Sequence, residues 1–352
     1  MKAGYIVASG GQGCITKTNK SDKFVNKFET KSNAKMELYI SKVLLQIDAK
    51  QMYGVYAEMA DVNVKFIDND FDDFSKRTYI ATHHPICKEL NDQKASVPVY
   101  KLRVPEFISD CENIAGIQQR FAISPSQYVN LFKHLWKGIR LYHRYGVLHR
   151  DIKTPNIAFM QHANKQYSLK FFDWGWATHL YNSATDKEQS VNVSKTVQAM
   201  QQMTALGGSY TYFKSTGASC PWSYASQLAS GLYSNKDLIA YFTKTMPAVA
   251  QDLEKRNVVQ IVNCLRYNDY FGLALAIFQM MQQLFQLQPD TFQANKEFMQ
   301  HYDFCQRIVE NELAVCTTLR RLEKQPDLIA KRAIVMAQLS KVSETLYLDK
   351  YL

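Results

Sequence analysis

Between residues 149 and 173 the sequence gathers the side-chain types that moving a phosphoryl group requires. Asp151 stands in what reads as a loop, and Asn156 follows five residues later. At that separation one side chain can orient an attacking hydroxyl while the other takes a magnesium ion. Asp173 comes after the apolar run Leu169-Lys170-Phe171-Phe172, a strand-like stretch that would bring a second carboxylate to the metal. Magnesium prefers such oxygen ligands beside substrate phosphates. The reaction needs little covalent help from protein, but the phosphates must be cradled, the metal held and the hydroxyl aimed.

The elements that must position these groups are legible around them. Ser124-Pro125 opens a long amphipathic helix through Tyr145, with Tyr128, Leu131, Leu135, Ile139 and Tyr142 at spacings of three and four, and Gly146 ends it. The first quarter reads as strand, glycine turn, strand and helix: Tyr5 to Ala8, then Gly10-Gly11-Gln12-Gly13, then Cys14 to Thr18 and Phe24 to Phe28. A helix is expected over 33–47, with Met36, Ile40, Val43, Leu44 and Ile47 on its apolar face. Further strands are expected at 62–67, 79–82 and 99–104, and mainly helices after Pro105, including Leu313 to Leu322 and Ile334 to Leu339. No internal repeat is visible.

Composition narrows the class. The 352 residues are 46% hydrophobic and 21% charged without a low-complexity tract, which excludes a disordered chain. No stretch reaches the roughly 18 to 20 apolar residues of a membrane span, and the N-terminus lacks the apolar core of a secretory signal. An intracellular, cytoplasmic protein is expected. Its seven cysteines, an odd number without close pairs, point to reduced thiols. His83, His84 and Cys87 lack a second ligand pair at finger spacing, so an ordinary loop is expected there. The formal charge of +10 favours acidic partners, but the lysines are dispersed and no specific nucleic-acid binding is expected.

The run His149-Arg150-Asp151-Ile152-Lys153-Thr154-Pro155-Asn156 resembles the catalytic loop of eukaryotic-type protein kinases, and Asp173-Trp174-Gly175 resembles their metal-binding triplet with tryptophan for phenylalanine. The resemblance implies that Asp151 is the catalytic base, that Lys153 stabilises the transferring phosphate, and that Asn156 and Asp173 bind Mg2+. Lysine two residues after the aspartate is the serine/threonine pattern. Ala8-Ser9-Gly10-Gly11-Gln12-Gly13-Cys14-Ile15 is similar to the glycine-rich loop over ATP, with Ala8 where the first glycine usually stands. By the same resemblance Lys27 pairs with the phosphates, Glu37 is its ion-pair partner, and Val25 forms part of the adenine ceiling. Asp269-Tyr270-Phe271-Gly272-Leu273-Ala274 resembles the start of the large buried helix, with Asp269 accepting hydrogen bonds from the catalytic-loop backbone and Leu273, Ile277 and Met281 in the core.

What the resemblance implies is an α+β bilobal fold. Residues 1–104 would form an antiparallel sheet with the Glu37 helix, residues 105–352 a mainly helical lobe, the hinge would fall near Val99 to Glu106, and ATP would lie between the lobes. Partners would be proteins with serine or threonine acceptors, acidic ones among them. The segment from Asp173 to Asp269 is long and lacks the alanine-proline-glutamate triplet, for which Cys220-Pro221-Trp222-Ser223 is the nearest stand-in. Ser183, Thr185, Ser190, Ser194 and Thr196 could accept a phosphate able to pair with Arg150. The short N-lobe and divergent C-lobe also resemble kinases of large DNA viruses, which would place the protein in a host cell or a virion. Two other functions compete: a pseudokinase or scaffold module, and a kinase-fold small-molecule phosphotransferase, against which Arg150 and Lys153 argue.

Overall fold

The computed structural model describes residues 5–9, 13–17, 23–62, 85–93, 99–163, 166–183, 191–192, 195 and 247–323. Gly10, Gly11, His83, His84, Thr185, Ser190, Ser194, Thr196, the 220–223 run, the strand expected at 79–82 and the helical spacing at 334–339 lie outside them.

The chain divides into two compact units. One comprises residues 1–108 together with 172–177, and the other comprises 109–171 together with 178–352. In the first, β1 (Tyr5–Ser9), β2 (Gly13–Lys17), β3 (Phe24–Thr30), β4 (Glu58–Val62) and β5 (Val99–Pro105) form an antiparallel sheet in the order β1-β2-β3-β5-β4. Strand β5 occupies nearly all of the stretch expected as hinge. It is the central partner of both β3 and β4, and Glu106 just beyond it donates its backbone N–H to the Lys23 carbonyl at 2.9 Å. Those bonds keep the chain in the first unit to Ile108, four residues past the expected boundary at 104.

Helix α1 (Lys31–Ile47) follows β3 directly. Its buried face is Ala34, Glu37, Ile40, Ser41, Val43 and Leu44, whereas Met36, expected on that face, is 46% exposed. The face is turned because two of its polar residues have buried partners: Glu37 bonds Lys27 at 2.7 Å, and the Ser41 hydroxyl accepts the Ala57 N–H at 3.1 Å. Apolar periodicity alone does not weigh such pairs. After α1 the Asp48 carboxylate gathers the N–H groups of Met52 and Tyr53 and the Tyr56 hydroxyl, which fixes the turn toward β4.

Helix α2 (Pro85–Gln93) was not expected from the sequence. It carries Cys87, which is disulfide-bonded to Cys14 on β2, with Cα atoms 5.0 Å apart. The expectation of uniformly reduced thiols is therefore corrected for this pair; the free cysteines among the described residues are Cys111 and Cys305, both buried. The register explains what spacing hid. Cys14 pairs opposite Phe28 on β3, and the two cysteines share a buried cluster with Phe28, Leu90 and Val99, although 73 residues separate them in sequence.

In the second unit α3 (Ile114–Phe121) precedes α4 (Pro125–Arg144). Helix α4 starts as its sequence signals: Ser124 accepts the Gln127 N–H, and the Gln127 side chain accepts the Ser124 N–H, a reciprocal cap with Pro125 at the first turn. Gly146 adopts φ +72°, and a Cβ there would stand 2.6 Å from the Tyr181 ring, so only glycine ends the helix in this way. Two small sheets follow. Strand β6 (Ser109–Asp110) pairs with β8 (Ile157–Gln161), which pairs with β9 (Tyr167–Phe171), while β7 (Val147–Leu148) pairs with β10 (Thr178–His179). Further along the described residues come α5 (Pro247–Leu287), α6 (Pro289–Gln293) and α7 (Lys296–Glu323). Leu273, Ala274, Ile277 and Met281 of α5 are fully buried, as expected. Asp269, expected at the start of its helix, lies well inside this 41-residue one. A role as an N-terminal charge on the helix dipole is thereby excluded, since that effect fades within the first turn.

Candidate active site

The loop after β7 is built around Asp269. Its carboxylate accepts the backbone N–H groups of His149 at 2.8 Å and Arg150 at 2.7 Å, and faces the His143 Nε2 at 2.9 Å. Burial lowers the His143 pKa even with Asp269 beside it, so at neutral pH the ring is uncharged and its Nε2–H donates. Held this way, Arg150 adopts φ +68°, a left-handed conformation that ordinary residues avoid. Such strain persists only where the surroundings over-determine it, and here two hydrogen bonds to one buried carboxylate do so.

The turn delivers Asp151 in a defined setting. Lys153 Nζ lies 3.2 and 3.0 Å from its two carboxylate oxygens, and the Asn156 amide donates to both the Asp151 carbonyl and its carboxylate at 2.8 Å. Asp151 and Asn156 are buried, while the Lys153 side chain keeps 32% of its exposure. The side chain of Asn156 spends its N–H groups on Asp151, so its carbonyl oxygen is the atom left to serve as an acceptor or metal ligand. Asp151, Lys153 and Asn156 are thus brought together as the sequence suggests.

The first unit assembles a different cluster. Lys27 on β3 lies 2.7 Å from Glu37 on α1, 2.9 Å from Asp173 and 2.7 Å from Glu29, two residues along its own strand. Burial alone would depress the lysine, but Asp173, Glu37 and Glu29 together hold its pKa well above the ordinary value. Asp173 adopts φ +59° and keeps its side chain 40% exposed. Next to it the Trp174 ring is fully buried and its indole N–H donates to the Val55 carbonyl at 3.0 Å. The tryptophan that replaces phenylalanine in this triplet therefore has a partner for its extra polar atom, and it packs 6.0 Å from the Tyr56 ring.

The start of β2 belongs to the same unit. Register sets Ser9 opposite Cys14 and Ala8 opposite Ile15, and across β2 sets Gly13 opposite Glu29 and Ile15 opposite Lys27. A Cβ on Gly13 would come within 3.1 Å of the Glu29 side chain and the Phe28 carbonyl and 3.2 Å of the Lys27 side chain, so β2 packs closely beside the pair here. Val25 shares the strand face of Lys27 and is buried. Sequence reasoning missed Glu29, His143 and the ion pair of Lys17 with Glu106 at 2.6 Å. Only Glu29 carried a signal, its even spacing from Lys27 on a strand.

With this geometry in hand, the comparisons are specific. Residues 98–202 match the family model described as protein kinase domain. A Caenorhabditis elegans relative named for ribosomal protein S6 kinase alpha-2 is 27% identical over 121 residues, which is 34% of this chain and 15% of that relative. The chain thus spans a small part of the length of the curated relative it matches. Over residues 98–202 the chain is thus similar to protein kinase domains, and the loop of residues 149–156 lies within that stretch.

Proposed function

We propose that the protein is a serine/threonine protein kinase that transfers the γ-phosphoryl group of ATP to protein hydroxyls. The observation that carries this reading is the loop of residues 149–156, where Asp151 is fixed from three sides: by Asn156, by Lys153 and, through the preceding backbone, by Asp269. Phosphoryl transfer is catalysed chiefly by such positioning and by charge stabilisation.

In this reading Asp151 accepts the proton of the attacking hydroxyl and Lys153 neutralises charge on the transferring group. Lys27, anchored by Glu37, pairs with the nucleotide phosphates. Ala8, Ser9, Gly10, Gly11 and Gly13 cover those phosphates, and Ile15 and Val25 contact the base. Asn156 and Asp173 would hold magnesium, which would supply positive charge against the nucleotide phosphates. The donor set suits it: the free carbonyl oxygen of Asn156 and the half-exposed carboxylate of Asp173 are the hard oxygen ligands it prefers. The lysine at 153 supports serine or threonine as acceptor, and the net charge of +10 supports acidic protein segments as substrates.

The test is transfer of labelled phosphate from magnesium-ATP to generic protein substrates by wild type, Asp151→Asn and Asp173→Asn. Loss of a general base typically costs about 100- to 10,000-fold, so Asp151→Asn should fall by at least the lower figure, and Asp173→Asn should also fall through loss of a magnesium ligand. Label appearing on serine or threonine supports the reading. Wild type that binds magnesium-ATP yet labels no protein, or variants that label as well as wild type, would sink it.

A further inference from the structure

The mechanism above leaves one charged group at the site unused. Glu29 is fully buried, yet neither of its oxygens receives a well-aligned hydrogen bond; its close contact is the charge contact with Lys27 at 2.7 Å. A buried carboxylate without donors is costly, and such a group calls for an explanation. The Lys27 ammonium has three N–H groups, and three carboxylates surround it at 2.7 to 2.9 Å: Glu29, Glu37 and Asp173. Two of those N–H groups go to Glu37 and Asp173, and Glu29 holds the remaining side of the cation by charge contact.

The three acids are not equivalent. Glu37 forms a well-aligned hydrogen bond to Lys27 from α1, and Asp173 is the exposed member, able to turn toward a metal. Glu29 can do neither. It shares the strand of Lys27, lies in register with Gly13, and is close enough to that glycine for a methyl group there to press on it. It therefore stands where the start of β2 meets the lysine that this reading pairs with phosphate.

We infer that Glu29 is the resting counter-ion of Lys27, a positioning residue that an incoming nucleotide phosphate must displace and that thereby sets the affinity for ATP. This rests on the kinase reading and deepens it. While ionised, Glu29 both competes for the ammonium and repels the phosphate; neutralised, it does neither. The charged and titratable groups facing it are Lys27 on its own strand, Glu37 from α1 and Asp173 from the 172–177 segment. Gly13 on β2 brings none, and β5 sets Tyr100 opposite it. Burial, reinforced by Glu37, lifts the Glu29 carboxyl to about 8 against the opposing pull of Lys27. The brake is accordingly weak below that pH and full above it, while Lys27 stays charged throughout.

The experiment is calorimetric titration of wild type and Glu29→Gln with magnesium-ATP at pH 6.5 and 8.5, alongside kcat and KM. The ratio of variant to wild type cancels the titration of the nucleotide itself. We expect Glu29→Gln to bind about five- to tenfold more tightly at pH 8.5, the ratio to shrink toward one at pH 6.5, and kcat to change less than twofold. Glu29→Met, of similar length and uncharged, should reproduce the gain and serves if the glutamine variant does not fold. A ratio that is the same at both pH values, or a variant that binds more weakly at pH 8.5, overturns the inference and leaves the kinase reading intact. If wild type and both variants bind no magnesium-ATP, the reading and the inference fall together.

Discussion

The surroundings of Asp151 and those of Lys27 solve the burial of charge in opposite ways. Around Asp151 each carboxylate has donors: Asn156 and Lys153 on Asp151, and two backbone N–H groups with His143 on Asp269. Around Lys27 one cation is shared by three acids, and one of those acids has no well-aligned donor at all. A satisfied network is rigid and already shaped for its task. A cluster with surplus negative charge relaxes when an acid takes up a proton, and Glu29, lifted to about 8, is the acid that does so near neutral pH. The difference teaches that the first cluster meets its buried charges with donors, whereas the second meets them with one shared cation and a proton.

That contrast can be broken most severely at Asp269. Replacing it by alanine strands two backbone N–H groups and the His143 ring, each costing roughly 1–3 kcal/mol when left buried and unpaired. The expected outcome in denaturant titration is a loss of several kcal/mol, together with loss of phosphoryl transfer. Asp269→Ala at near wild-type stability would mean that the loop around Asp151 is not built as described. A smaller effect is expected in the first unit. Cutting the Cys14–Cys87 cross-link, which closes a segment with 73-residue separation, should cost roughly 4 kcal/mol in the chain-entropy view. Thermal unfolding of wild type against Cys14→Ser/Cys87→Ser, under non-reducing conditions, checks this; equal midpoints would show that the pair does not constrain the chain. The smallest effect sharpens the comparison. Trp174→Phe puts a smaller ring in the buried site, deletes the N–H to Val55 and leaves a void, so roughly 2 kcal/mol should be lost, read as a shift of several degrees in the unfolding midpoint.

How legible each region was in the sequence follows the same division. The Asp151 loop could be read because its residues are local: Asp151, Lys153 and Asn156 sit within six positions, and the helix before them announces itself with Ser124, Pro125 and Gln127. Its anchor, Asp269, was found by resemblance, but its place deep inside α5 was not, since the polar residues upstream of it gave no clean apolar stripe. The Lys27 cluster depends on strand register and on contacts between residues far apart in sequence. Glu37 was anticipated, but Glu29 lay just beyond the strand expected over Phe24 to Phe28, and its burial comes from β2 packing beside it at Gly13. Helix α2 was hidden for a related reason. Its nine residues are too few to show a period, and its place is defined by the disulfide and by Leu90 packing on the far side of β3.

The position of Asp269 within its helix also limits how this chain can diverge. Each residue of an α-helix turns about 100° around the axis. Asp269, Leu273, Ile277 and Met281 follow one another at steps of four, each about 40° round from the last, so they form a slowly winding stripe whose carboxylate meets the loop while the others lie in the core. Insertion or deletion of a single residue between Asp269 and Leu273 would swing the acid off the loop while the apolar residues stayed put. Changes of length upstream of Asp269 or beyond Leu287 leave that alignment intact. Relatives that share this loop should therefore vary in the length of the segments flanking the helix and keep a fixed count of residues from the acid to Met281.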